Sequence, residues 1–332
     1  MQPLAADLAR VDLHHHFALD AGPVSEEGRR RYRAESGWPY PEDRTPWTPE
    51  LSLRAMDELG IQVAVLSMLG NPGGSTPGPE NRAINRALNE LAHNAVRSYP
   101  DRFGFFASVP VASGADATLE EIRYALDTLG ADGVCFASSY GSGRDARYIG
   151  ADFLDSVWAE LDRRAALVFV HGAQTASVNG FLNPFAPTSV TEVGNETFKA
   201  AADLVTRGKK RRYPNVRIIL AHSGGSTAML VSRVAVISSY LGSELSPEQI
   251  IEDFRTFYYE TALSGFETDL VALENLAGLD RILFGTDYPA VETRMSAWYT
   301  NHVDEYFADR PDALERVMRG NALTLLPRLQ KP

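Results

Sequence analysis

The chain has a single cysteine, Cys135, in 332 residues, so no disulfide can form within it. A fold of this length needs no such staple, because it can bury a large apolar core, and a lone thiol fits a reducing cytoplasm. Lysine is scarce: Lys199, Lys209, Lys210 and Lys331 are the full set. The net charge is −11 and the pI near 5.2, which argues against nucleic acid or an anionic membrane surface as partner. An anionic substrate must therefore be drawn by a local cation or a metal. No run approaches the roughly 18 apolar residues that cross a bilayer. The opening MQPLAADLARVDLHHH has no basic segment followed by an apolar stretch and does not read as a signal peptide. No glycine-rich dinucleotide turn follows the first apolar run, and the glycine- and proline-rich stretch 70–78 lacks the phosphate-loop spacing.

What the sequence does have is a rhythm. Short apolar runs at 10–16, 62–68, 103–109, 133–137, 167–171, 216–222, 256–261 and 281–287 have the length and composition of buried strands. Between them lie stretches with helical periodicity at 50–59, 79–98, 119–129, 153–164, 197–207, 227–241 and 270–276. Thr48-Pro49-Glu50 and Ser246-Pro247-Glu248 each set a hydroxyl before a proline and an acid, a helix start. Residues 317–329 read as a closing helix. Eight strands alternating with helices imply parallel βα units. The expectation is an α/β fold, a (β/α)₈ TIM barrel forming one domain over 1–332, with an open doubly wound sheet as the competing architecture. Residues 18–47 interrupt the rhythm between strand one and helix one. Trp38, Tyr40 and Trp47 among prolines mark this insertion as a packed lid.

Four of the seven histidines sit at strand ends. His14 and His16 end the first run, His171 the fifth and His222 the sixth, while Asp287 ends the eighth. Side chains two apart on a strand share a face, so His14 and His16 point inward together and His15 points away. Imidazoles with a carboxylate suit a borderline divalent cation and leave open positions for chemistry. A lone histidine in such a place is usually a hydrogen-bonded core residue; four histidines and an aspartate at four strand ends are not explained that way. His15 is read as structural, and His93 and His302 as solvated.

At this point a resemblance emerges. Val11-Asp12-Leu13-His14-His15-His16, Phe169-Val170-His171, Ile219-Leu220-Ala221-His222-Ser223-Gly224-Gly225 and Leu283-Phe284-Gly285-Thr286-Asp287-Tyr288-Pro289 resemble the amidohydrolase superfamily. They are most similar to the branch containing aminocarboxymuconate-semialdehyde, 6-methylsalicylate and γ-resorcylate decarboxylases. Trp47-Thr48-Pro49-Glu50, Tyr99-Pro100-Asp101-Arg102-Phe103 and Gly320-Asn321-Ala322 extend the likeness over nearly the whole chain. It implies His14, His16, His171 and Asp287 as ligands of one divalent metal, zinc before manganese. It implies His222 as a contact to metal-bound water or substrate, and a homodimer. Binuclear relatives bridge two ions with a carbamylated lysine at the end of strand four; no lysine lies near 133–139, so a single ion is expected.

The resemblance favours nonoxidative decarboxylation of a small aromatic or unsaturated carboxylic acid of salicylate type, with Asp287 as proton donor and His222 as its partner. A metal-dependent hydrolase or hydratase acting on a lactone, amide or unsaturated acid is the alternative, and an inert binding barrel a third reading. Trp38, Trp47, Arg44 and Phe181 are the candidate substrate contacts, with Tyr40, Arg144 and Arg147 also placed near the mouth. Two features depart from the branch. The arginine that precedes the tryptophan in muconate decarboxylases is not kept in register, which disfavours a substrate with two carboxylates. Glu192-Val193-Gly194-Asn195-Glu196-Thr197 stands where relatives carry a proline before Glu-Thr.

Overall fold

The structure, a computed structural model, describes residues 9–17, 46–68, 77–141, 146–173 and 186–330. Eight parallel strands follow one another around a single sheet. They are β1 (Arg10–His16), β2 (Ile61–Ser67), β3 (Phe103–Ser108), β4 (Gly133–Ala137), β5 (Leu167–His171), β6 (Arg217–Leu220), β7 (Tyr258–Glu260) and β8 (Ile282–Leu283). Each pairs with its successor in chain order, whereas a doubly wound sheet reverses order at a switch point. Backbone bonds from Leu13 N to Phe284 O (3.0 Å), from Asp287 N to His14 O (2.8 Å) and from His16 N to Tyr288 O (2.6 Å) join the last segment to β1. The sheet is a nearly closed barrel, as expected.

Helices wrap it: α1 (Pro49–Leu59), α2 (Pro79–Ser98), α3 (Ala115–Asp127), α4 (Asp155–Arg163), α5 (Val193–Thr206), α6 (Thr227–Tyr240), α7 (Pro247–Arg255), α8 (Glu267–Leu276) and α9 (Thr293–Tyr306). The start signals hold. The Thr48 side chain accepts from Leu51 N, and Ser246 with Gln249 forms a reciprocal capping box. α1 ends at Gly60, whose φ of 65° is the left-handed conformation that suits glycine. Its stripe of Ala55, Met56 and Leu59 is buried against the barrel. Two expectations need correction. α9 was not anticipated, because its buried face, Ser296, Ala297, Thr300, Asn301 and Val303, is largely small and polar. The closing helix starts earlier than expected, at Pro311, passes through a π-helical stretch at Arg316–Gly320 and ends at Leu325; a separate 3₁₀ turn, Pro327–Gln330, follows, since a proline at 327 cannot continue the turn before it.

The barrel interior is a dry plug of Val11, Leu13, Val63, Val65, Phe106 and Phe169 with neighbours, and Phe106 stacks on Phe169 at 5.7 Å. Ala322, Leu325 and Leu326 extend it at the end where the strands begin. There Asn321 Nδ2 donates to Ile282 O (2.8 Å) and Arg10 forks onto Asp304 (2.8 and 3.1 Å). With that end sealed, chemistry is left to the opposite mouth.

Candidate metal centre and cavity

The strand β1 carries the first two imidazoles through an irregularity. Its register against β2 slips between Asp12 and His15, so strict alternation fails locally. Leu13 joins the interior plug, and His14, one residue on, also faces inward onto Phe169 (ring centroids 5.0 Å apart). His16 follows on the same side, 4.7 Å from the His14 ring. His15 goes outward, as expected, and bridges Asp12 Oδ2 (3.0 Å) and Ser52 Oγ of α1 (2.9 Å).

In three imidazoles Nδ1 is already engaged by a group that only accepts. His16 Nδ1 donates to Ser67 O (3.0 Å), His171 Nδ1 to Gly172 O (2.9 Å) and His14 Nδ1 to the carboxylate of Glu260 (2.7 Å). Each Nδ1 therefore carries a proton, and Nε2 is the nitrogen that each ring turns toward the centre and can offer to a cation. These nitrogens converge. His14 Nε2 and His16 Nε2 are 2.9 Å apart, and they lie 3.2 and 2.9 Å from Asp287 Oδ1. His14, His171, His222 and Asp287 each bring one donor atom within 4.8 Å of the others. His171 Nε2 and Asp287 Oδ1 are buried without a hydrogen bond of acceptable geometry. A buried polar atom left so costs about 1–3 kcal/mol, and a cation between them would satisfy both. The donor set fits a divalent metal, and all five residues picked out from strand ends come together.

The strand ends themselves are shorter than the sequence suggested. His222 lies two residues beyond β6 and Asp287 four beyond β8. Both have left-handed backbone, with φ of 54° and 61°, as does Ser223 at 56°. Such conformations cost a non-glycine residue about 1–3 kcal/mol each and cluster where side chains are aimed for function. Here they turn His222 and Asp287 back over the mouth.

The electrostatics ask for positive charge at this point. Burial opposes a charged His14, yet Glu260 and Asp287 outweigh it and lift the group to about 10. Burial, aided by the neighbouring imidazoles, holds His171 well below its ordinary value, and burial lowers His16. Burial pushes Asp287 upward, but His14 and the surrounding imidazoles pull it well below the usual carboxylate range. Asp287 is thus an anion at rest.

Two carboxylates that sequence reading left without a role hold the centre together. Glu260, fully buried at the end of β7, accepts from His14 Nδ1, from His222 N (2.5 Å) and from Ala262 N (2.7 Å). Asp12 accepts from His14 N (3.0 Å), Thr286 N (3.1 Å), Thr286 Oγ1 (2.6 Å) and His15. It staples β1 to the loop that carries Asp287. The signal for Asp12 was its place two residues before the His14 pair; a lone glutamate at 260 carried none. Gly285 is required beside them, because a Cβ there would stand 2.1 Å from Glu260 Oε2 and 2.8 Å from His14 Cβ.

A cavity of about 680 Å³ opens from His171, His222 and Asp287. Its walls come from the short helix Thr188–Thr191, the first turns of α5, α6 and α8, the segments after β7 and β8, and α9. Val190, Val193, Met229, Leu263 and Met295 make much of that wall apolar. The anticipated contacts fare differently. Trp38, Tyr40, Arg44, Arg144 and Phe181, and residues 18–45 of the expected lid, lie outside the described residues. Trp47 is buried with its indole N–H on Ser52 Oγ (3.0 Å) and its ring edge-on to Phe17, and it does not border the described cavity. Arg147 is exposed. His93 is not simply solvated but bonds Leu129 O (2.7 Å), and His302 packs on Trp298 at 4.0 Å.

The chain belongs to the amidohydrolase family, whose model matches residues 11–328. Within it, the chain is 35% identical to 6-methylsalicylic acid decarboxylase of Penicillium expansum over 328 residues, 97% of this chain and 98% of that protein. The fold superposes on the crystal structure of an amidohydrolase II with a TM-score of 0.82 at 22% identity, covering 96% of this chain and all (100%) of that one. It also matches a dihydroxybenzoic acid decarboxylase of a Polaromonas species, solved with bound manganese and the inhibitor 2-nitroresorcinol. There the TM-score is 0.79 at 20% identity, with 98% of each chain covered.

Proposed function

We propose that the protein is a metal-dependent nonoxidative decarboxylase of a salicylate-type acid. The observation that carries decarboxylation over hydrolysis is the similarity to 6-methylsalicylic acid decarboxylase along 97% of the chain; the donor set alone would serve either chemistry. His14, His16, His171 and Asp287 would hold one ion, with His222 beside it. Three imidazoles and a carboxylate are a zinc donor set, while the Polaromonas relative holds manganese, so both are sought. When bound, the ion supplies a positive charge that orients an ortho-hydroxy carboxylate.

The protein's own residues then move one proton. Asp287 is anionic at rest, so it cannot arrive as an acid and must take its proton from the substrate hydroxyl. It delivers that proton to the ring carbon bearing the carboxylate. The carbon–carboxylate bond breaks, its electron pair restores the aromatic ring, and carbon dioxide leaves with a phenoxide behind. His222 Nε2, 3.6 Å from Asp287 Oδ2, steadies the carboxylate through the transfer. The apolar wall receives the ring.

Among the described residues no helix is long and apolar enough to cross a membrane. A cytoplasmic setting agrees with the free, buried thiol of Cys135. A homodimer agrees with the exposed Met229, Val236, Tyr240 and Leu241 on α6 and its end. The test of function is to load purified protein with zinc or manganese, add salicylate and 6-methylsalicylate, and follow carbon dioxide together with uptake of labelled water oxygen. Carbon dioxide release with no label in the aromatic product supports the proposal. Label in the aromatic product, or no turnover of either ortho-hydroxy acid, refutes it.

A further inference from the structure

The cavity wall carries one charged side chain apart from the metal-centre residues, and it is an acid. Asp269 stands in the first turn of α8, and no lysine or arginine lines the cavity among the described residues. An acid in a first helical turn is common, because the helix dipole favours it there, and on an outer surface it would mean nothing. Asp269 instead borders the same space as His171, His222 and Asp287. It is half-buried, and no guanidinium or ammonium among the described residues pairs with it; its own backbone N–H is the one group that favours its charge, while burial pushes it upward. Across the same wall lies the half-buried Tyr299, whose hydroxyl is held protonated by burial and by the negative charge of Asp269. This wall therefore offers a carboxylate that accepts hydrogen bonds and a phenol that donates one. Among the described residues it offers no cationic side chain to neutralise an anion.

We infer that Asp269 is a specificity-determining residue: it excludes acids carrying a second carboxylate and accepts a hydroxyl donor on the ring of a monocarboxylate. The inference rests on the reading of the cavity as the site for an aromatic acid. Its physical basis is that a like charge brought into a partly desolvated wall is strongly disfavoured, whereas a hydroxyl there completes an unfilled acceptor. Selectivity of this kind comes from repulsion built against the wrong ligand, so it is removed when the charge is removed.

The experiment uses the metal-loaded full-length protein and its Asp269→Asn and Asp269→Ala variants. Binding of salicylate, 4-hydroxyisophthalate and 3-hydroxyphthalate is measured by calorimetric titration, with carbon dioxide release followed in parallel. The two dicarboxylates keep the ortho-hydroxy acid and add a carboxylate at different ring positions. The wild-type protein is expected to bind salicylate at least roughly tenfold more tightly than either. In Asp269→Asn that ratio should shrink about tenfold for at least one dicarboxylate, with salicylate affinity kept within about threefold. Equal binding of all three ligands by the wild type, or an unchanged ratio in both variants, overturns the inference. Binding as expected with no carbon dioxide from any ligand overturns the decarboxylase reading and leaves Asp269 in its role. Failure to bind any of the three overturns both.

Discussion

Replacing Glu260 by glutamine tests whether the metal centre is built on its supporting carboxylate. Glu260 receives three N–H groups, from His14 Nδ1 and His222 N on Oε1 and from Ala262 N on Oε2. Glutamine keeps one acceptor. In its better orientation the amide nitrogen replaces Oε2 and meets Ala262 N–H donor to donor; in the other it faces two donors. Either way a fully buried hydrogen bond is lost, at about 1–3 kcal/mol. The negative charge that fixes the His14 tautomer is lost as well. Removing such a partner of a ligating histidine lowers metal affinity roughly 10- to 100-fold, or about 1.4 to 2.7 kcal/mol. Competition against a chromophoric chelator should show that loss in Glu260→Gln, and thermal melting of the metal-free protein should show the stability term on its own. Metal affinity within twofold of wild type, with an unchanged melting temperature, would refute the account of Glu260 as the group that orients His14.

Two further outcomes follow from the same geometry. Gly285→Ala places a methyl against Glu260 Oε2 and His14 Cβ, so it should cost about 1–3 kcal/mol and lower bound metal per chain by elemental analysis; full metal content with wild-type stability would contradict the packing. Lys210 is nearly buried over the Phe257 ring, and burial together with Arg281 lowers its pKa from 10.5 to about 8. The unfolded chain thus holds more protons between about pH 8 and 10.5, so stability contributed here rises with pH across that window. Lys210→Met should stabilise the fold at pH 7 by up to about 3 kcal/mol, an advantage that fades by pH 10 in urea denaturation. An advantage that grows with pH would reverse the sign of the reasoning.

How much of this was legible in the sequence depends on the range of the interaction involved. Strand and helix order follows from local apolar periodicity, so the eight-stranded barrel was readable along the chain. α9 was missed because its buried face is largely small and polar, and its place comes from packing against α8 and the barrel mouth. The HxH pair, His171, His222 and Asp287 were legible because strand ends of a barrel converge, whatever the loops do. The supporting carboxylate of Glu260 was not, because a bond from residue 260 to residue 14 spans 246 positions and leaves no local mark. Nor was the anchoring of Trp47, whose indole bonds Ser52 of α1.

The sequence by itself determined the architecture and the identity of the candidate ligand residues, since apolar periodicity sets the order of strands and helices and residue type sets what a side chain can bind. Only the tertiary structure decided which nitrogen of each histidine is free, since that depends on carbonyl and carboxylate acceptors from other strands. It alone set the anionic state of Asp287, through burial among imidazoles from three other segments. It also set the charge of the cavity wall, where α8 brings Asp269 into a space that holds no compensating cation among the described residues.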